Sequence, residues 1–586
     1  MINKYFYNLS VTIVGIVTSI FILTTVGGLF HIPVNPFYVL IPFIGGVYYL
    51  KQKSPENIDF LKQFLILLLI IMISCIISIY VWDSSSDGRS SHIATIILYK
   101  NGWLSIYHDF KDYAKFCNVH PTSAFWGNSY LHFVEIIGAN IYKITNLIES
   151  SKATNFIMLS AVFMYSFSVL KEFKPQSRFI PFIISLLIIL NPICICQWFT
   201  NFIDLHICFA FTLLVLTILK TEKQKIAGKA DLFMFVSSAL MLAMSKFTGS
   251  MYLFIICLIY SVYLFILKRE IKKYIKTVLI IGVLIALTGI NPFYTNIRDY
   301  GHPFYPLYGK KKIDIINNNK NMPVDFENMS NMERFLRSTF SESVYSMSNT
   351  ENQIYRGAVE LKIPFTLRIK SPYTNTFSFP DMRIGGFGYF WSGILILAIF
   401  YLPFIRFRNK DERNIFWLLS TMILVSTIAN PHCWWARYVP QFWLFPLFVL
   451  FFGLLQENYK NNIFKILKSS LLYFVMISFI VNSSVILYQN TLFSLCLSKL
   501  LKAPYKYIDS NKTGKDKILL MVKPDGEYII SIDETIIPHL EEYFGKKEII
   551  YLPYDENKIS SEKFLPMQYI HVLRSPNYFF KIEKNQ

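Results

Sequence analysis

The stretch YVWDSSSDGRSSHIATIILYKNGW, Tyr80 to Trp103, follows an apolar run from Leu61 to Val81 and at once sets down Asp83, Asp87, Arg89 and His92. The run is long enough to cross a bilayer. Charged groups at the lip of such a segment cost free energy unless they face water or a partner. Two readings follow for the aspartates. They cap the helix GRSSHIATIILY at its N-terminus, where carboxylates are favoured, or one projects into a water-lined cavity as a general base toward an acceptor hydroxyl or amine.

The rest of the chain agrees with a membrane setting. Of 586 residues, 53% are hydrophobic and 16% charged, far from an ordinary soluble domain. The net charge of +19 comes largely from short clusters between apolar runs: KQK at 51, KEFKPQSR at 171, KTEKQKIAGK at 220, KREIKKYIK at 268 and RFRNKDER at 406. That is the positive-inside pattern of cytoplasmic loops, so the charge reports topology and not nucleic-acid binding. Eight cysteines lie mostly in or beside apolar segments, and Cys194 and Cys196 lack a second pair at zinc-site spacing. No disulfide framework or metal site is indicated. The first apolar segment has no small-residue cleavage site and is expected to be retained.

Apolar runs of roughly 17 to 25 residues read as spans. They fall near 9–30, 37–50, 60–82, 153–170, 179–198, 203–219, 230–246, 249–267, 275–294, 386–405, 414–430, 438–455 and 465–488, the second short enough to be re-entrant. The expected fold is therefore an α-helical polytopic membrane protein with about thirteen transmembrane helices. Every basic cluster then lies on one side, and the long loops 83–152 and 295–385 lie on the other. The expected arrangement is a multi-pass protein of the inner (cytoplasmic) membrane, N-terminus in the cytoplasm. Residues 1–488 form the membrane module. The tail 489–586, with strand-like alternation around one helix and a PDG turn, is expected to be a small α/β extracytoplasmic domain. The segment from Gly309 to Phe335 reads as mobile chain followed by a short helix.

Three further stretches carry candidate chemistry. NPFYTNIRDYGHPFYPLYG (Asn291 to Gly309) puts Arg298, His302 and Tyr305 on a stiff aromatic surface, with membrane anchoring as the plainer reading. ANPHCWWARYVPQFWLFPL (Ala429 to Leu447) sets Arg437 beside Trp434 and Trp435. An outward-facing guanidinium there suits a phosphate at headgroup depth, whereas the plainer reading is a snorkelling side chain. SKFTG adds Lys246 in a tight turn, and the expected convergence on one anion takes in Lys246, Arg298, Arg334, Arg337 and Arg437. SFPDMRIGGFGYFWSG (Ser378 to Gly393) has three glycines where the backbone must bend or approach a ligand closely. No P-loop, H-E-x-x-H or G-x-S-x-G occurs.

The blocks DGRSSHIATIILYKNGW, KFTG, GHPFYPLYG and NPHCWWARYVPQ resemble those of bacterial GT-C-fold glycosyltransferases that build cell-surface polysaccharides. That polytopic class includes protein O-mannosyltransferases, lipid A aminoarabinose transferases and oligosaccharyltransferase catalytic subunits. The resemblance in architecture covers nearly the whole chain if 60–82 is the first core span. It implies a sugar donor carried on a polyprenyl phosphate, a glycan acceptor, membrane lipid as a partner and an acidic catalytic residue early in the first outer loop. Several members have an Asp-Glu or Glu-Asp pair there, whereas this chain has Ser84 after Asp83 and Gly88 after Asp87. The catalytic role thus lies between Asp87 and Asp83, with Asp87 preferred because Gly88 leaves room for substrate. By the same resemblance Lys246, Arg298 and Arg437 receive the donor phosphate, and Arg89, His92, His302, Tyr305, Trp434 and Trp435 contact substrate. No cofactor is required, and a divalent metal stays open. The alternatives are a polysaccharide polymerase or ligase, and a lipid-linked glycan transporter without chemistry.

Overall fold

A computed structural model describes residues 2–83, 85, 87–116, 124–225, 228–267, 271–313, 322–343, 359–367, 377, 379–455, 462–510, 517–522, 549–553 and 579–583. In chain order the helices are α1 (Ile2–Leu29), α2 (Phe37–Lys53), α3 (Asn57–Tyr80), α4 (Ala94–Lys100), α5 (Phe110–Phe116), α6 (Ala124–Ser129), α7 (Phe133–Thr145), α8 (Ala153–Phe173), α9 (Phe179–Ile189), α10 (Pro192–Gln197), α11 (Asp204–Gln224), α12 (Lys229–Ser245), α13 (Phe247–Ile266), α14 (Ile271–Thr288), α15 (Thr295–Tyr300), α16 (Asn331–Thr339), α17 (Trp391–Tyr401), α18 (Lys410–Ile428), α19 (Leu444–Leu454) and α20 (Asn462–Ser510). Helix occupies each of the thirteen apolar segments expected to span.

Six described helices are long and apolar enough to cross a membrane, and the bent pair Tyr274–Thr288 and Ile290–Tyr300 makes a seventh. Three apolar helical stretches are shorter, Phe179–Ile189, Trp391–Phe404 and Pro440–Leu454. The architecture is that of a multi-pass membrane protein. Its surface agrees: α3 exposes Leu61, Leu65, Met72 and Ile76, and α13 exposes Phe254, Leu258 and Phe265. Outward apolar side chains of this kind are at home in lipid. At the centre, α11 is enclosed along nearly its whole length and packs on α8 and α12.

Two expected spans are broken, each at an Asn-Pro. The first, 179–198, divides into α9 and α10 where Asn191 caps α10 by accepting a bond from Ile193 N at 3.0 Å, with Pro192 pre-set for the first turn. The second, 275–294, bends by 74° after α14. Pro292 has no N–H to continue the ladder, and a Cβ on Gly289 would lie 2.7 Å from Ile285 O. At the far end α20 runs on to Ser510, so residue 488 falls within a helix. In the tail, strands β1 (Lys517–Val522), β2 (Ile549–Pro553) and β3 (Phe579–Glu583) form a sheet of order β2-β1-β3, parallel on one side and antiparallel on the other. The remainder of the expected tail domain, and residues 314–321 of the segment expected to be mobile, lie outside the described residues.

With little hydrophobic force between helices in lipid, polar bonds and close packing hold the bundle. Asn155 of α8 donates to Thr200 O at 2.8 Å and pairs with His206 of α11 at 2.8 Å. At the end carrying the basic clusters, Lys220 pairs with Asp231 at 2.8 Å, and Tyr7 donates to the same carboxylate at 2.6 Å. These bonds tie α1, α11 and α12 at one end. At the opposite end of α11 and α12 stand Asp204 and Lys246, so the site described next is built on the end away from the basic loops.

Candidate functional site

Three carboxylates converge on one guanidinium. Arg437 Nη1 lies 3.2 Å from Asp87 Oδ2, its Nε lies 3.1 Å from Asp381 Oδ1, and Asp204 Oδ2 is 4.0 Å from the same Nε. Each carboxylate on the inner side carries a second cation. Lys246 Nζ donates to Asp204 Oδ1 at 2.6 Å, and Arg383 donates to Asp381 Oδ2 at 3.0 and 2.8 Å. Asp87, Asp204 and Asp381 are thus balanced by Arg437, Lys246 and Arg383. Burial alone would raise the Asp381 carboxyl, but Arg383 and Arg437 hold it below the usual carboxylate range.

Local structure fixes each member. Lys246 sits in extended conformation between α12 and α13. The turn is tight because Gly249 follows, where a Cβ would lie 2.0 Å from Leu242 O. Asp204 opens α11, where the helix dipole favours a carboxylate. Arg437 is set against Asp381 by paired backbone, with Ala436 N donating to Arg383 O at 2.9 Å and Arg437 N to Met382 O at 3.0 Å. Gly386 permits this approach, since a Cβ there would come within 2.6 Å of Ala436 Cβ. The close approach expected of the glycines after Asp381 is therefore to the chain itself. Around the cations stand aromatic faces: Arg437 is 5.2 Å from the Phe202 and Trp435 ring centres, and Lys246 is 4.6 Å from that of Tyr438.

Only Asp87 among the three carboxylates is open, its side chain 51% exposed against 3% for Asp204 and 20% for Asp381. Asp83 is the reverse. Its Oδ1 accepts from Ser85 N at 2.8 Å and Ser85 Oγ at 2.6 Å, and its Oδ2 accepts from Asn201 N at 2.7 Å and Asn201 Nδ2 at 2.9 Å. Its own N–H donates to Glu149, which pairs with the buried Lys152, and that lysine bonds Ser78 O at the end of α3. Asp83 joins the exit of α3 to the loop before α11. Gly88 does not leave room for a substrate as the sequence suggested: a Cβ there would lie 2.2 Å from Ser85 Oγ and 2.5 Å from Asp83 Oδ2.

The other expected cations part company with Arg437. Arg298 is half exposed and forms a two-bond pair with neighbouring Asp299. Arg334 donates to Phe326 O and Glu327 O, and Arg337 to Val359 O. Arg89 is buried with Nε on Ser85 O. His302 accepts from Phe304 N at 3.1 Å, and Tyr305 stacks on Tyr300 at 3.8 Å. Their loop approaches the site through Phe304, which packs on Phe247 next to Lys246. Trp434 and Trp435 are both buried. Trp434 accepts from Ser338 through its backbone oxygen, whereas Trp435 donates to Asp381 at 2.9 Å and lies under Arg383. They scaffold the cluster.

Beside it, His92 Nδ1 lies 2.7 Å from Oε1 of the buried Glu135 on α7. Past this pair a small pocket, with about 50 Å³ of space for water, opens between α1, α4, α7 and α14, lined by Thr24, Tyr99, Trp103, His132, Thr288 and Asn291 among others. No Asp, Glu, Lys or Arg lines it. Tyr99 Oη and His132 Nδ1 are 2.9 Å apart, and burial lowers the His132 imidazole to about 4. Among the described residues no group of three or more His, Cys, Asp or Glu is arranged to hold a metal ion.

Fold and site define a multi-pass helical membrane protein with a balanced ionic cluster at one end. No family model matches the chain, and no curated protein does so either. Among solved structures it is similar to ArnT from Cupriavidus metallidurans bound to undecaprenyl phosphate, at 11% identity and a TM-score of 0.43, covering 89% of this chain and 97% of that one.

Proposed function

We propose that the protein is a membrane glycosyltransferase. It moves a sugar from a polyprenyl-phosphate donor to a cell-envelope glycan or lipid-linked acceptor on the outer face of the inner membrane. In this reading the helices through α20 form the catalytic module, and the tail after Ser510 forms a small extracytoplasmic domain. The observation that carries the reading is the asymmetry around Arg437, a buried guanidinium whose one solvent-open partner is a carboxylate, Asp87, held at 3.2 Å.

A donor phosphate entering at that open side is a better partner for the fork of a guanidinium than a single carboxylate oxygen. Phosphate displaces Asp87 from Arg437 and so releases a carboxylate next to the sugar. Asp87 then takes the proton of the acceptor hydroxyl as its oxygen attacks the anomeric carbon from the face opposite the phosphate, giving inversion. The bond from that carbon to the phosphate oxygen breaks with its electron pair on the phosphate. Arg437 and Lys246, both largely buried, receive the added charge. Asp204 and Asp381 remain to orient the two cations. Asp83 is assigned to the scaffold, and Arg298 to the surface. The small uncharged pocket, with its hydroxyls, amide and Trp103 edge, has room for one end of a neutral acceptor.

The experiment is release of polyprenyl phosphate from labelled polyprenyl-phosphate sugars by the purified protein, with envelope glycan fractions as acceptor. Sugar transfer that stops in Asp87→Asn supports the reading. Movement of a lipid-linked glycan across the bilayer with the glycan unchanged would instead identify a transporter, and joining of whole oligosaccharides a polymerase or ligase.

A further inference from the structure

We propose that His92, held by Glu135, is a proton relay that empties Asp87 after each transfer. The inference rests on the transferase reading and adds to it the route by which the acceptor proton leaves.

Residues Gly88–Ile93 form a π-helical turn that starts at Asp87. Such turns close on i→i+5 and recur at functional sites. The consequence is geometric. In an α-helix, residues five apart lie about 140° apart around the axis, whereas the wider π-turn brings Asp87 and His92 toward one face. The chain thus turns a histidine toward the one open carboxylate of the cluster.

The second half of the device comes from α7. Glu135 is 3% exposed, yet carries a carboxylate whose Oε1 lies 2.7 Å from His92 Nδ1. Burial alone would raise the Glu135 carboxyl, but the bond and charge of His92 hold it below the ordinary range. An ionised Glu135 can only accept, so Nδ1–H donates to it and Nε2 keeps a lone pair. Burial works against the charged imidazole, and Glu135, Asp87 and Asp204 overcome it, so the His92 imidazole lies above its ordinary value. His132, also on the α7 side, is neutral above about pH 4, lowered by burial first and in small part by the charge of His92. The groups facing His92 are therefore Asp87 before its own turn, Glu135 and His132 from α7, and Asp204 from α11. Glu135 Oε2 is buried with no hydrogen-bond partner among the described residues, an acceptor in reserve that strengthens the field on the imidazolium.

Proton and electrons balance. The acceptor O–H proton goes first to Asp87 as the new glycosidic bond forms and the phosphate departs with its electron pair. It then moves from Asp87 to His92 Nε2, giving an imidazolium whose Nδ1–H remains on Glu135. From the His92 side chain, 18% exposed, it passes to water, and Asp87 is restored as a carboxylate.

The test is the pH dependence of turnover with a fixed polyprenyl-phosphate sugar. A protonated His92 cannot accept, so wild-type turnover should rise with pH through an apparent pKa above 6.5. His92→Gln keeps a donor toward Glu135 but cannot titrate; it should lose this limb, with turnover down by about 10- to 100-fold and donor affinity unchanged. Glu135→Gln should move the limb to lower pH. His92→Ala should recover part of its turnover with added imidazole. A His92→Gln enzyme slowed evenly at all pH values with the limb intact, or a His92→Ala enzyme that folds yet ignores imidazole, would overturn the relay. A wild-type protein without any sugar transfer would overturn the transferase reading and the relay with it.

Discussion

Arg437 and Asp87, 350 positions apart in sequence, meet at 3.2 Å, and of the three carboxylates around that guanidinium Asp87 is the most exposed. Arg437 is buried after α18, and Asp87 opens the π-turn after α3. The pair joins the segment after α3 to the segment between α18 and α19, and in the proposed reaction a donor phosphate opens it. The first prediction concerns the carboxylate. Asp87→Asn should lower turnover by about 10²- to 10⁴-fold, the usual worth of a positioned base. Donor affinity should stay equal or improve, because the competitor for Arg437 has lost its charge. Equilibrium binding of polyprenyl phosphate and single-turnover transfer separate the two effects. Full turnover in this variant would return Asp87 to helix capping.

Arg437→Ala should weaken binding of polyprenyl phosphate by about 2 to 5 kcal/mol, the range for truncating one partner of a buried charge pair. It also leaves Asp381 and Asp204 with less compensation, so the variant should melt earlier. Stability and affinity are separable through Asp381→Asn, which removes a carboxylate from the same guanidinium without removing the anion's ligand. If donor affinity is unchanged in Arg437→Ala, the arginine is a structural tie only.

Asp83 is predicted to matter for folding and not for chemistry. It satisfies four donors from Ser85 and Asn201 while almost wholly buried. An amide at this position offers one acceptor oxygen and turns two donors on a neighbour that donates. Asp83→Asn should therefore destabilise by about 1 to 3 kcal/mol, the cost of leaving buried polar groups unpaired. The folded fraction should keep its turnover per molecule and its donor affinity. Thermal melting in detergent together with active-site titration is the measurement, and a loss of turnover in fully folded protein would return Asp83 to the chemistry.

These outcomes follow a division that was partly visible in the sequence. Apolar run length marked segments that all contain helix, because backbone in lipid must satisfy itself internally, although six or seven of the described helices are long enough to cross a membrane. The two internal breaks carried their own mark in Asn191-Pro192 and Asn291-Pro292. Asp83, Asp87 and Arg437 were visible as charges at the lips of apolar runs. Asp204, in FTNFIDLH, carried the same mark at the start of the next core span, and Asp381 and Arg383 stand two apart in PDMR. Their meaning depends on convergence: an isolated aspartate says nothing of the arginine 233 or 56 positions later that it will face. Arg298, Arg334 and Arg337 show the converse: Arg298 pairs with the adjacent Asp299, and Arg334 and Arg337 donate to backbone carbonyls, and sequence pattern alone does not rank such partners.

The cavity beside the His92–Glu135 pair gives the last prediction. Burial keeps His132 neutral down to about pH 4, against about 6.5 in an unfolded chain. Between those values the unfolded chain binds a proton that the folded protein refuses, so stability contributed at this site falls as pH drops through 6.5 toward 4. His92 has the opposite sign: its raised value favours the folded state below 6.5, and that contribution fades as pH rises through its folded pKa. His132→Gln should therefore flatten the acid side of the melting-temperature profile, and His92→Gln should flatten the side above 6.5. Neither change should touch donor affinity. Trp103→Ala, which strips an aromatic wall from the same cavity, should raise the acceptor KM while donor affinity is retained. An acceptor KM unmoved by Trp103→Ala would place the acceptor outside this cavity, on the open side of Asp87.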